Sequence, residues 1–152
     1  SYARDKDAVY ASMMVSDMAL HYHRQGLDLI DVLERIYQKH GYYGERTIGL
    51  SLDPLTGMQA LREKMRGLLV NPPEQLAGLR VERAVDFSKG YGKLPPADIV
   101  ALDLEGGTRV YIRPSGTEPK VKLYVMARAG SQEELNEQIQ ALSPAVQDLV
   151  EL

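Results

Sequence analysis

Val100-Ala-Leu-Asp-Leu-Glu-Gly-Gly-Thr-Arg-Val-Tyr-Ile-Arg-Pro-Ser-Gly-Thr-Glu-Pro-Lys-Val-Lys-Leu-Tyr-Val125 reads as three strands joined by two turns. Val100, Leu102 and Leu104 recur at every second position, the period of a strand with one face buried. Glu105-Gly-Gly-Thr108 is hairpin-turn chemistry, leading into Val110 and Ile112. After a second loop, Val121, Leu123 and Val125 alternate with Lys122, Tyr124 and Met126. Consecutive strands joined by short turns pair antiparallel, so this stretch predicts the centre of an antiparallel sheet.

Working outward, Thr47-Ile-Gly-Leu-Ser-Leu52 alternates in the same way and predicts a further strand. Asp53-Pro54 reads as a helix start, with a carboxylate N-cap and proline at the first helical position. Leu55, Met58, Leu61, Met65 and Leu68 carry its apolar stripe, and Asn71-Pro-Pro73 must end it. Leu79, Val81, Val85 and Phe87 predict a strand diluted by Ala84, and Ser88 to Pro96 is a loop. Ser131-Gln-Glu-Glu134 is a capping box opening a last helix with Leu135, Ile139 and Leu142, which Pro144 is expected to kink or interrupt. The prediction for residues 45–152 is an α+β domain, a mostly antiparallel sheet of about four strands with both helices on one face.

Residues 1–44 have a different period. Ala8, Ala11, Val15, Met18, Ala19 and Tyr22 form one helical stripe between about Asp5 and Gln25, with Gly26 as its stop. A second helix is capped by Asp28, buries Leu29, Leu33, Ile36 and Tyr37, and closes at His40-Gly41. The boundary between this helical pair and the sheet domain is expected near Tyr43 to Arg46.

Composition narrows the function classes. A chain of 152 residues with 44% hydrophobic and 26% charged residues suits a soluble globular protein. A net charge of -3, one Phe and no Trp argue against nucleic-acid binding, which uses a basic excess and stacking aromatics. The absence of Cys excludes disulfides and thiolate metal sites and fits a cytoplasmic setting, and no apolar run reaches membrane-spanning length. The chain opens at Ser1 in mid-pattern without Met, which leads to the expectation of a fragment of something longer.

The chemistry concentrates in Arg113-Pro-Ser-Gly-Thr-Glu-Pro-Lys120. Arg113 offers a planar fork matched to phosphate oxygens, Ser115 and Thr117 offer hydroxyls, and Gly116 leaves backbone N–H groups free of a Cβ. On composition alone the same residues form an ordinary hairpin loop. Against that, the apolar neighbours of Arg113 predict its partial burial, where an unpaired guanidinium is costly. Lys120 and Lys122 share one face of the outgoing strand. Glu118 would repel a phosphate and is expected to pair with a lysine or to accept backbone N–H groups. Elsewhere, Asp5 and Asp7 read as helix-start residues, because positions two apart on a helix point in different directions. His21, His23 and His40 read as surface or structural, and Met13, Met14, Met18, Met58 and Met65 as core filling. Lys89-Gly-Tyr-Gly-Lys93 reads as a flexible surface loop. No catalytic residue and no metal ligand is assigned.

Arg113-Pro-Ser-Gly-Thr-Glu-Pro-Lys120 and its alternating continuation resemble the phosphate-binding signature of the α-D-phosphohexomutases, the phosphoglucomutase/phosphomannomutase family. Ala3-Arg-Asp-Lys-Asp-Ala8, the two helices after it and Gly41-Tyr-Tyr43 resemble the end of that family's third domain and the hinge before its fourth. The resemblance implies a TATA-box-binding-protein-like C-terminal domain. It also implies that Arg113, Ser115, Gly116 and Thr117 contact the phosphate of a hexose phosphate, with Glu118, Lys120 and Lys122 in support. The family's phosphoserine, magnesium and sugar-reading loops have no counterpart in these 152 residues. The resemblance therefore implies N-terminal domains as partners, an inactive isolated chain, and Mg2+ and glucose 1,6-bisphosphate as cofactors of the parent enzyme only. Branch specificity, glucose against mannose, stays open. From the residues without the resemblance, a non-catalytic anion- or phosphopeptide-binding module remains the alternative.

Overall fold

A computed structural model describes residues 6–151, which divide into two compact units, one ending at Gly41 and the other beginning at Tyr42. The first holds α1 (Ala8–His23) and α2 (Leu29–His40). Asp7 caps α1 by accepting from the Tyr10 N–H at 2.9 Å, and Asp5 lies outside the described residues. Asp28 and Asp31 form a reciprocal capping box at the start of α2. Neither helix has a buried residue. Met13, Met14, Met18, Leu33 and Ile36 are all exposed, while Ala19, Tyr22, Leu29 and Tyr37 are only partly buried, so the expected buried stripes are at most half covered and these three methionines fill no core.

The second unit runs β1 (Tyr42–Ser51), α3 (Gly57–Val70), β2 (Gln75–Leu76), β3 (Leu79–Asp86), β4 (Val100–Leu104), a 3-10 turn, β5 (Arg109–Pro114), β6 (Lys120–Ala129) and α4 (Gln132–Asp148). Its sheet is antiparallel throughout, in the order β1-β6-β5-β4-β3-β2. There are six strands rather than four: β2 is a two-residue strand too short to show a period, and the hairpin strands each join the sheet. β1 begins at Tyr42, five residues before the start at Thr47 that the alternation of Ile48 and Leu50 makes legible. The β4–β5 connection turns on Gly106 and Gly107, both at positive φ (75° and 83°), as a tight reversal requires.

One face of the sheet carries the core. Val100, Leu102, Leu104, Val110, Ile112, Val121, Leu123 and Val125 pack against Leu61 and Met65 of α3 and Leu142 and Val146 of α4. Both helices therefore cover the same face, as the α+β reading expects. Full burial of each such side chain contributes roughly 1.5–3 kcal/mol, which makes this cluster the main source of the domain's stability. Asp53 does not cap α3 directly. Its carboxylate accepts from the Leu55 and Thr56 N–H groups and organises a turn, after which the helix starts at Gly57. Pro144 does not interrupt α4, which runs unbroken to Asp148. Only the N–H of Pro144 itself is missing, and the Ser143 hydroxyl donates to the Ile139 carbonyl at 2.6 Å beside it. The face away from the helices carries a second, smaller apolar cluster of Val85, Phe87 and Ala101 at the β3–β4 side, and polar residues on β5, β6 and β1.

Candidate anion-binding site

Cross-strand partners in an antiparallel sheet share a face, so the register spells out the open face row by row. Arg113 of β5 lies opposite Lys122 of β6, which lies opposite Gly49 of β1. In the next row outward, the Ser115 N–H donates to the Lys120 carbonyl at 2.8 Å, and Lys120 lies opposite Ser51. In the row on the other side, Tyr111, Tyr124 and Thr47 align. Alternation thus places Arg113, Ser115, Lys120 and Lys122 together on one patch while Ile112, Val121 and Leu123 point into the core.

The patch concentrates positive charge without neutralising all of it. Arg113 and Lys122 face each other directly, an arrangement that destabilises a sheet. Among the described residues, neither has a hydrogen-bonding or ionic partner. Lys120 Nζ is 3.3 Å from Glu118 Oε1, so Glu118 does pair with a lysine. Arg113 is exposed, which corrects the expectation of a part-buried guanidinium. It stands at the last position of its strand facing away from both helices, and buried neighbours at 112 and 114 imply nothing for the opposite face. The Ser115 hydroxyl lies 3.4 Å from the Thr117 N and 3.3 Å from the Glu118 N, curling the loop around one oxygen. Gly116 at the tip has open space around its Cα, and Thr117 is exposed. The loop and its flanking strands thus present two unpaired cationic side chains and two hydroxyls, a donor set suited to a dianionic tetrahedral group.

A second polar cluster on the same face was not anticipated from the sequence. Asp103 of β4 is nearly buried and accepts from Arg83 Nε at 2.6 Å and from Arg109 Nε on the other oxygen. Arg83 also donates to the Tyr91 hydroxyl and Arg109 to the Tyr111 hydroxyl, both at 3.2 Å. Burial pushes the Asp103 carboxyl up, but the hydrogen bonds and charges of Arg109 and Arg83 outweigh it and hold it below the usual carboxylate range. The one hint in the sequence was an aspartate in an otherwise apolar strand. Tyr91 also stacks on Phe87, with ring centroids 5.1 Å apart, so the Lys89–Lys93 loop is tied down at its centre. Beside this cluster a groove of about 430 Å³ runs past Tyr43, Glu45, Arg109, Tyr111 and Met126. Its guanidinium is already committed to Asp103, so this concavity is a poorer anion site than the open loop.

Comparison with known proteins agrees with this architecture. Residues 61–144 match the family described as phosphoglucomutase/phosphomannomutase, C-terminal domain. A probable phosphomannomutase from Haemophilus influenzae is 34% identical over 125 residues, covering 82% of this chain and 24% of that protein. A phosphoglucomutase from Staphylococcus aureus strain MSSA476 is 30% identical over 152 residues, covering 93% of this chain and 27% of its own length. The chain spans about a quarter of the length of these relatives. The structure of pp63/parafusin, a phosphoglucomutase from Paramecium in its open form, matches with a TM-score of 0.70 at 14% identity. That match covers 97% of this chain and 28% of that one, and at this identity it speaks for the fold. The chain belongs to the phosphoglucomutase/phosphomannomutase family, and its sheet unit carries that family's C-terminal domain.

Proposed function

We infer that this chain is the C-terminal part of an enzyme interconverting hexose 1-phosphate and hexose 6-phosphate, and that its β5–β6 loop holds the phosphate that is not reacting. The observation that carries the reading is the Arg113–Lys122 pair: two like charges held face to face, unpaired, beside Ser115, Gly116 and Thr117. A sheet gains nothing from such a pair until an anion bridges it. Arg113 binds phosphate oxygens through its fork, Lys122 supplies a second charge, and Ser115 turns its hydroxyl from the loop amides to the ligand. Lys120, already paired with Glu118, supports the loop. Because the site reads a phosphate and not a pattern of sugar hydroxyls, it accepts either end of the hexose.

Phosphoryl transfer depends heavily on positioning, and holding the spectator phosphate orients the other end of the sugar for reaction. The phosphoserine and the bisphosphate intermediate belong to N-terminal domains of the parent enzyme, in the cytoplasm. In this reading the magnesium implied for the family is held by those N-terminal domains as well. The isolated chain is inactive in this reading and binds hexose phosphates only weakly, near millimolar Kd, about -4 kcal/mol.

In the longer protein, Arg113→Ala should lower kcat/KM about a hundredfold, the loss of roughly 2.7 kcal/mol of transition-state binding. A wild-type rate refutes the assignment. In the isolated chain, amide shifts at Arg113, Ser115 and Thr117 should move on titration with glucose 6-phosphate. Their immobility at tens of millimolar ligand counts against it equally.

A further inference from the structure

Gly49 occupies the interior of β1, where the fold asks for no glycine. Its backbone is not in the left-handed region, and a Cβ added there meets nothing within 4 Å. Gly44 on the same strand differs: its Cβ would stand 3.0 Å from Leu135 and from Ile139. Glycine weakens a strand interior, and where neither dihedral nor packing explains it, it marks a place that another group approaches closely.

What lies around Gly49 is specific. It ends the row that begins with Arg113 and Lys122. With strands about 4.8 Å apart, it stands about 5 Å from Lys122 and about 10 Å from Arg113 along that row, room for a phosphate and one six-membered ring. The rows to either side end on hydroxyls, Thr47 and Ser51, both exposed. β1 is also an outer strand. The Leu52 N–H donates to the Pro119 carbonyl at 2.8 Å, which sets the alternation of the ladder. The N–H and C=O groups of Thr47, Gly49 and Ser51 therefore turn to the open edge. On the far side of Arg113 the sheet offers instead the apolar cluster of Val85, Phe87 and Ala101, with Ile99 against it. Within the row of Arg113 itself, polar backbone and flanking hydroxyls are therefore offered on the β1 side and not on the β4 side.

We propose that Gly49 is the seat for the carbon skeleton of the bound ester. The phosphate lies over Arg113 and Lys122, and a polyhydroxylated substituent lies over Gly49 between the Thr47 and Ser51 hydroxyls. The ligand class is a phosphate monoester of a polyol. The proposal rests on the reading of Arg113 and its neighbours as a phosphate seat.

The test is a pair of NMR titrations of the chain, with inorganic phosphate and with glucose 6-phosphate. The wild-type chain should bind the ester at least threefold more tightly, with amide shifts at Thr47, Gly49 and Ser51 that inorganic phosphate does not cause. Gly49→Val should erase the preference while leaving the Kd for inorganic phosphate within twofold. Valine suits a strand and its Cβ meets nothing within 4 Å, so the variant's melting temperature should equal or exceed the wild type's. Gly49→Ala should give the same result in weaker form. Equal affinities in the wild type, a preference that survives Gly49→Val, or an equal loss of both ligands overturns the proposal. Arg113→Ala separates the two levels: it should abolish both affinities. If both survive it, the phosphate seat itself is wrong and the proposal falls with it.

Discussion

Replacing Asp103 by alanine should destabilise the sheet unit by about 2–3 kcal/mol, and the magnitude follows from how unevenly its two partners are buried. Asp103 exposes 12% of its side chain, Arg109 29% and Arg83 56%. An exposed ion pair is worth little, because water replaces the lost partner. Arg83 can resolvate and keeps its contact with the Tyr91 hydroxyl, so its share of the loss is small. Arg109 cannot do so fully. It is left as a part-buried guanidinium holding only the Tyr111 hydroxyl and that ring, 5.7 Å from its Cζ. A charge-assisted hydrogen bond contributes about 1.5–3 kcal/mol, and stranding its donor takes the cost to the upper part of that range. Urea unfolding of the chain followed by circular dichroism measures the change in midpoint at constant slope. Arg83→Ala should have a much smaller effect. Combined with Arg109→Ala, Asp103→Ala should cost less than the sum of the two, with a coupling of at least about 1 kcal/mol. An effect of Asp103→Ala below about 0.5 kcal/mol, or strict additivity with Arg109→Ala, refutes the argument that this carboxylate anchors the face.

The same carboxylate predicts an acid limb. Its folded pKa is depressed, so its contribution is complete above the unfolded aspartate value of about 3.9 and is lost as pH falls through the folded value below it. Urea midpoints between pH 5 and pH 2.5 should fall less steeply in Asp103→Asn than in the wild type. Two glycines of α3 should respond oppositely to alanine. At Gly57 the new Cβ would sit 2.7 Å from Leu52 Cβ, costing about 1–3 kcal/mol, whereas at Gly67 it meets nothing and should stabilise the helix by about 0.5–1 kcal/mol, both read from thermal melts.

Legibility in the sequence followed whichever force dominated locally. Where burial on one face set the pattern, as in Val121–Val125, alternation gave strand, face and core partners at once; Val100–Leu104 showed the same apolar alternation although both its faces are buried. β1 was half legible for the same reason: Ile48 and Leu50 bury, while Tyr43, Glu45 and Thr47 face solvent and leave no apolar period. Pro144 misled because a proline removes one hydrogen bond, a loss that thirteen residues of helix scaffolding from Gln132 absorb. The buried stripes expected of α1 and α2 fail for another reason. A period states which side is apolar, never how much covers it, and within that unit those side chains are at most partly buried. At the candidate site, residue types were legible from donor chemistry. Their arrangement was not, since strand register brings Gly49 and Ser51 beside Lys122 and Lys120 from 70 residues away in the chain.

Register also exposes a conflict between stability and binding. β5 and β6 are central strands, and Ile112, Val121 and Leu123 are fully buried on their inner face. That core holds Arg113 against Lys122 outside it, at a cost that an anion bound as proposed would remove. Reversing one charge should therefore separate the two properties. Lys122→Glu places a carboxylate opposite Arg113 and turns a repulsive cross-strand pair into an attractive one, a gain of about 0.2–1 kcal/mol over a neutral pair and more over the wild type. The same carboxylate would occupy the proposed phosphate seat, so on that proposal glucose 6-phosphate shifts at Ser115 and Thr117 should vanish. A thermal melt and one titration of the same sample decide it. If Lys122→Glu binds phosphate normally, or melts below the wild type, then Arg113 and Lys122 are not held in unpaired opposition, and the reason for reading this face as an anion site is gone.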